Sequence, residues 1–229
     1  MTFVQESMYL GFVLTLAAYL CGMAVKKKFG WAVLNPLLVG SLLVIGVLLL
    51  TGVEYQVYNQ SAQYISYLLT PATVCLAIPL YKQLHLLRKH FAAIIAAIAA
   101  GVAASAASIF AMCLLFRLDH ITYVSILPKS ITTAIGMGVS EEAGGMVTIT
   151  VVGIIITGIF GNIIGETVFR VLKIRHPMSK GLALGTAAHA IGTAKALELG
   201  EVEGAMASLS IAVAGLMTVI VVPLVSGLI

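Results

Sequence analysis

The residues predict an all-α protein: a polytopic membrane helical bundle of about 7–8 transmembrane segments, with broken or re-entrant helices in an inverted-repeat arrangement. Three observations point there. Sixty per cent of the 229 residues are hydrophobic and ten per cent are charged, against about 25% charged in soluble domains. The apolar stretches are long and lack the period-two alternation of a membrane β-barrel. Backbone surrounded by lipid must bond within its own segment, which leaves helices.

In order, the segments fall at 7–25, 31–52, 62–81, 91–116, 121–143, 146–169, 181–197 and 205–229, within one integral membrane domain spanning 1–229. Most approach the roughly 20 residues that cross the hydrocarbon. The first is read as a retained helix and not a signal peptide, because Lys26, Lys27 and Lys28 follow its apolar run instead of preceding it. Cys21, Cys75 and Cys113 are odd in number and lie in apolar surroundings, as packing residues do.

Basic residues gather in three loops: Lys26–Lys28; Lys82, Arg88 and Lys89; and Arg170, Lys173, Arg175 and Lys180. The positive-inside rule makes these cytoplasmic and leaves 52–63 and 117–122 outside. The chain then crosses an odd number of times between 117 and 170, and 146–169 is one crossing. Segment 121–143 is therefore expected to return to its side of entry, the alternative being an ordinary crossing with 170–180 as a basic outer loop. Pro128, Gly136 and Gly138 interrupt it, and Glu141–Glu142 close it.

Internal similarity singles out the same stretch. Residues 70–80 lie over 127–137 without a gap, Pro71 on Pro128 and Pro79 on Gly136, while Ala190-Ile191-Gly192 repeats Ala134-Ile135-Gly136. Helix breaks are expected at Pro71, Pro79, Pro128, Gly136 and Gly192. The helices that follow carry small-residue stripes, Ala93, Ala97, Gly101 and Ser105, then Gly153, Thr157, Gly161 and Gly165. Such stripes pack helices closely, within one chain or between subunits.

Polar side chains inside the membrane cost about 2.5–3.5 kcal/mol when charged, so each needs a partner or water. Here they cluster at the breaks. Lys129, Ser130, Thr132 and Thr133, facing Thr73 and Thr193 from the other breaks, could hold a carboxylate beside a half-helix N-terminus. The alternative is that the hydroxyls bond back to carbonyls around Pro128 and that Lys129 snorkels. His189 is either a proton-carrying group or a satisfied structural donor. Lys195 and Glu198 can pair on one helix face, with a coupling or gating role as the functional reading. No hydrolase, nucleotide or metal motif is present, so no enzyme activity, metal or cofactor is expected, and no basic-aromatic pattern points to nucleic acid.

Asn35-Pro-Leu-Leu38, residues 71–81, Leu127-Pro-Lys-Ser-Ile-Thr-Thr133, Gly144-Gly145, and above all the run from Gly181 through His189 to Ala196 followed by Glu203-Gly204 resemble the LrgB/CidB family of bacterial membrane proteins. The resemblance covers nearly the whole chain. One departure is that the family reads Lys-Ser-Val-Thr-Thr-Pro-Ile-Ala where this chain has Lys129-Ser-Ile-Thr-Thr-Ala-Ile-Gly136. The family was described as antiholin-like or holin-like, and it includes the LrgB-like half of the plastid glycolate/glycerate translocator and relatives implicated in pyruvate uptake. The resemblance implies a multi-pass protein of the bacterial inner membrane, a possible LrgA/CidA-like membrane partner, and one of two functions. The first is ion-coupled secondary transport of small monocarboxylates (glycolate, glycerate, lactate or pyruvate). The second is a holin/antiholin-like pore or regulator of murein hydrolase activity and autolysis. A homo-oligomer in the lipid bilayer is expected with either.

Overall fold

A computed structural model describes residues 9–31 and 34–229, with the side chains of Leu69, Thr70, Thr73 and Leu80 outside the description. Every regular element among the described residues is helical: α1 Leu10–Phe29, α2 Pro36–Thr51, α3 Tyr55–Ser66, α4 Leu69–Cys75, α5 Ala77–Lys82, α6 Leu84–Lys89, α7 Phe91–Phe116, α8 His120–Ile126, α9 Thr133–Glu142, α10 Val147–Val171, α11 Pro177–Leu199 and α12 Glu201–Val225, closed by a 3-10 turn. Among the described residues four helical segments, Leu10–Phe29, Phe91–Phe116, Val147–Val171 and Glu201–Leu228, are long and apolar enough to cross a membrane unaided. Large apolar side chains such as Leu49, Leu50, Leu115 and Leu224 are exposed. Water penalises such a surface and a bilayer solvates it.

Contacts group the chain into two compact units, one ending at Cys75 and the other running from Leu76. In the first, α1 packs on α2 and α3. Asn35 starts α2 by accepting a hydrogen bond from the Leu37 amide at 2.8 Å, with Pro36 in the first helical position, where its missing N–H costs nothing. Ser61 of α3 accepts the Gly11 amide at 2.7 Å, and Thr15 meets the Tyr58 hydroxyl at 2.8 Å. A helix start that would otherwise expose its amides is thereby closed by a neighbour.

The expected segment 62–81 is cut twice, at Tyr67–Leu68 and at Leu76. Pro71 and Pro79 do not sit at those cuts: each lies in the first turn of a short helix, α4 and α5. Proline is tolerated there because the first amides have no intrahelical acceptor.

In the second unit α8 and α9 fold back on each other. Asp119 caps α8 by accepting bonds from the Thr122 amide and hydroxyl, and the hydroxyl bond holds its carboxyl below the usual range. Residues 127–132 form the turn, bonded within itself by Lys129 N–H to Ile126 O at 3.0 Å and Ile131 N–H to Pro128 O at 3.3 Å. Helix α9 then returns. A knot of hydroxyls closes the base: the Thr150 hydroxyl lies 2.9 Å from the Ser125 carbonyl and 2.6 Å from the Ser140 hydroxyl, while Ser125 Oγ accepts the Met146 amide at 2.7 Å. Segment 121–143 thus comes back to the end where it began, as α8 starts beside the C-terminus, with His120 Nδ1 2.7 Å from Ile229 O and the Tyr123 hydroxyl 2.9 Å from Val225 O.

Helix α11 hides a second fold-back. Its backbone leaves helical geometry at Ala188 and at His189, where φ is 43° and ψ is −134°. A Cβ on Gly192 would collide with the Leu184 carbonyl, and one on Gly136 would lie 3.5 Å from Pro128 O. In a straight helix neither pair could meet, so residues 177–187 enter and 190–199 return. Gly136 and Gly192 are therefore not the breaks: both lie inside returning arms, where a missing side chain lets two arms approach. The entering arm runs parallel to α12, with Gly181 against Glu203 and Gly185 against Ala207. Buried Ile94, Ile98, Met178, Ala205 and Met206 form the core at this end, and Lys82 lies 4.0 Å from Glu201 there.

Gly185→Val places atoms into the Ala207 carbonyl and should destabilise the fold by about 1–3 kcal/mol, read as a lowered unfolding midpoint in detergent. Gly46→Ala, whose Cβ meets nothing, should be neutral or stabilise by up to about 1 kcal/mol in the same measurement.

Candidate functional site

The two fold-backs enter the second unit from opposite ends, and their apices come together beside the middle of α7 and α10. Ser130, in the turn of the first, lies 3.0 Å from the Ser105 hydroxyl of α7. Thr186, just before the apex of the second, packs its methyl group on Gly101 one turn earlier in α7. Between them opens a cleft of about 860 Å³ whose polar lining is Lys129, Ser130, Ser105, Ser108, Thr157, Ser179 and Thr186, set in walls of Ile156, Phe160, Leu182 and small residues.

The small-residue stripes make this geometry possible. Ala97, Gly101 and Ser105 line one wall, and Thr157 and Gly161 the other. A Cβ at Gly161 would lie 2.5 Å from Ala188 Cβ, and one at Gly165 would lie 2.9 Å from the Leu184 side chain. At Gly161 and Gly165 the stripe is thus covered from within the same unit.

Chemically, the cleft combines one ammonium with several hydroxyls. No carboxylate among the described residues pairs with half-buried Lys129. Thr186 is 8% exposed, and its hydroxyl is the one buried side-chain oxygen or nitrogen among the described residues with no hydrogen-bond partner. An unmade bond of this kind costs about 1–3 kcal/mol. Thr132 occupies the cap of α9 without a side-chain bond, so the first-turn amides there keep their capacity for an anion.

Other expected residues lie elsewhere. Thr132 and Thr133 stand at the start of α9 but do not line the cleft. Thr193 is buried and donates to the His189 carbonyl at 3.0 Å. The Thr73 side chain falls outside the described residues. His189 sits behind the cleft with Nε2 2.9 Å from the Ile154 carbonyl, which can only accept, so Nε2 carries the proton. Gly158 makes room for the ring, since a Cβ there would lie 2.7 Å from it. Ile154 also presses its side chain on Gly136, so this one residue touches both fold-backs. Lys195 and Glu198 do pair, at 3.1 Å, but Glu166 of α10 binds the same ammonium at 2.6 Å and ties the returning arm to α10. Asn162 does likewise, donating to the Ile191 carbonyl at 3.1 Å.

Ser105, Ser108, Thr157, Ser179 and Thr186 are the polar cleft residues that reading the chain did not assign to binding. Two of them stand on the small-residue stripes, and a hydroxyl on such a stripe was the available signal.

Thr186→Val removes the unpaired hydroxyl at nearly constant shape. It should leave the unfolding midpoint unchanged or raised by the equivalent of about 1 kcal/mol, whereas loss of a satisfied buried bond would lower it.

A model of the LrgB-like family matches residues 15–228. The antiholin-like protein LrgB of Bacillus subtilis (strain 168) is 40% identical over 218 residues, 95% of this chain and 94% of that protein. Its namesakes in Bacillus cereus (strain B4264) and Bacillus anthracis (strain CDC 684 / NRRL 3495) are each 39% identical over 217 residues, 94% of both partners. No solved structure matches. The relatives' shared name agrees with the second of the two expected functions and says nothing of carboxylates.

Proposed function

We propose that this chain, which belongs to the LrgB-like family, moves small monocarboxylates across a bacterial inner membrane by alternating access, with the two fold-backs acting as an inverted pair around one substrate cleft. The observation that carries the reading is a cleft lined by the Lys129 ammonium together with the hydroxyl-bearing Ser105, Ser108, Ser130, Thr157 and Ser179, with the buried, unpaired hydroxyl of Thr186 in its wall. A cation and converging donors within an apolar wall suit a carboxylate with a short tail. A pore made by simple helix association has no use for them.

The repeat supports the same reading. Ala134-Ile135-Gly136 and Ala190-Ile191-Gly192 occupy the first turns of the two returning arms. The similarity in sequence therefore coincides with equivalent positions in two oppositely directed fold-backs, which is how inverted-repeat carriers place half-helix ends at mid-membrane. With Lys82, Arg170, Lys173, Arg175 and Lys180 on the cytoplasmic side, the first fold-back enters from outside and the second from inside. Counting both as membrane segments adds two to the four helices long enough to cross unaided, and the 7–8 expected would also need α2 and residues 62–81. Coupling to protons or sodium is part of the proposal, with His189 and the Lys195–Glu166–Glu198 group as the elements that would sense it.

The second reading is an antiholin-like regulator of murein hydrolase activity and autolysis, working with an LrgA/CidA-like membrane partner and as a homo-oligomer. The relatives' names speak for it more directly than for carboxylate transport. A carrier could hold such a role if the solute it moves sets the signal, so the decisive question is what crosses the membrane.

In proteoliposomes the first reading expects saturable uptake of labelled pyruvate or glycolate, lowered at least tenfold by Lys129→Gln, with no leak of an entrapped dye. Dye leakage that Lys129→Gln leaves unchanged, without carboxylate uptake, selects the second.

The side assignment is tested by labelling single cysteines in a chain lacking Cys21, Cys75 and Cys113. Positions 119 and 142 should react from the same face of the membrane, and position 173 from the opposite one. Reaction of 119 and 142 from opposite faces rules out the fold-back as a re-entrant segment.

A further inference from the structure

The loop joining α10 to α11 carries a second cavity, of 380 Å³, around which Arg170, Lys173, Arg175 and Lys180 are gathered. The backbone explains the gathering. Helix α10 ends in a left-handed turn at Lys173, φ 56°, with the Ile174 amide donating to the Phe169 carbonyl at 2.8 Å. That bond is the closing bond of a C-terminal reversal usually built on glycine. It turns the chain sharply, so residues on both sides of the bend line one space.

None of the four cations forms an ion pair among the described residues. The carboxylate on the cavity wall, Glu166, holds the Lys195 ammonium at 2.6 Å. Four positive charges around one cavity raise a local potential that attracts an anion. We propose that this cavity binds a phosphate-bearing anion, and that the headgroup of an anionic phospholipid supplies it. Guanidinium groups match a phosphate through paired N–H donors, and lysines add charge without demanding geometry. Phe169, Ile174 and Leu199 complete the lining, giving an apolar floor that a glycerol backbone and the first methylenes of an acyl chain can cover. The cavity lies at the last turn of a helix long enough to cross a membrane, which is headgroup depth. Basic pockets between helices on a cytoplasmic face take anionic headgroups for these reasons. No lining residue is shared with the cleft between the apices, so this site stands or falls independently of the transport reading.

The test uses the full chain purified in neutral detergent, titrated with phosphatidylglycerol, phosphatidylcholine or inorganic phosphate, with the thermal unfolding midpoint as readout, because a ligand of the folded state raises it. Phosphatidylglycerol should raise the midpoint and phosphatidylcholine should not. Arg170→Gln with Arg175→Gln should weaken the apparent affinity roughly tenfold or more, while Lys26→Gln with Lys27→Gln, which removes the same charge from another basic loop, should retain it. If the arginine pair fails to fold, Lys173→Gln with Lys180→Gln should show the same weakening. A response to inorganic phosphate alone, lost in the arginine pair, keeps the phosphate site and overturns the lipid as its source. An effect of phosphatidylglycerol that survives both pairs, or that the Lys26 and Lys27 changes reduce as much, overturns the site.

Discussion

Backbone that leaves the helix inside a membrane must find its hydrogen bonds within the protein, since lipid offers none. The second unit meets this demand twice, in different ways. At residues 127–132 the turn bonds to itself, and the hydroxyls of Ser125, Ser140 and Thr150 secure its base. At Ala188–His189 side chains supply the solution: Thr193 donates to the His189 carbonyl and Asn162 to the Ile191 carbonyl, while the His189 ring reaches the Ile154 carbonyl. Both devices put polar groups deep in an apolar unit, where they remain only if fully paired. The Thr186 hydroxyl stands out against that background as the buried side-chain polar atom, among the described residues, that has no hydrogen-bond partner.

The backbone at His189 is itself costly. A non-glycine residue at φ 43° and ψ −134° stores on the order of 1–3 kcal/mol. The ring's bond to α10 and the tight seat beside Gly158 offset it.

Much of the helical layout was legible in the residues, because apolar length and interrupting prolines and glycines are local signals. The positions of the breaks were less so. Pro79 and Gly136 read as breakers on propensity alone, yet Pro79 opens a helix and Gly136 lies where two arms touch. The departure from the family pattern follows the same logic: Ala134 falls in the first turn of α9, where proline and alanine are both accommodated, so the substitution spares the turn itself. Lys129 and Ser130 were identifiable because they are polar and adjacent to Pro128. Thr186 and Ser105 were not, since their importance arises only when segments 56 and more residues away from Thr186 are folded against it. Long-range proximity leaves no trace in local periodicity.

Ile154 gives this arrangement a mechanical meaning. Its carbonyl receives His189 from one fold-back and its side chain bears on Gly136 from the other. Thr150, Asn162 and Glu166 extend the same ties along α10, whereas α7 meets the apices through one serine–serine contact at Ser130 and the packing of Gly101 on Thr186. The two apices are thus riders on a single rail, and α7 is the fixed post they face. For the transport cycle proposed above, sliding that rail past the post would break few polar bonds, and parting the riders would break many.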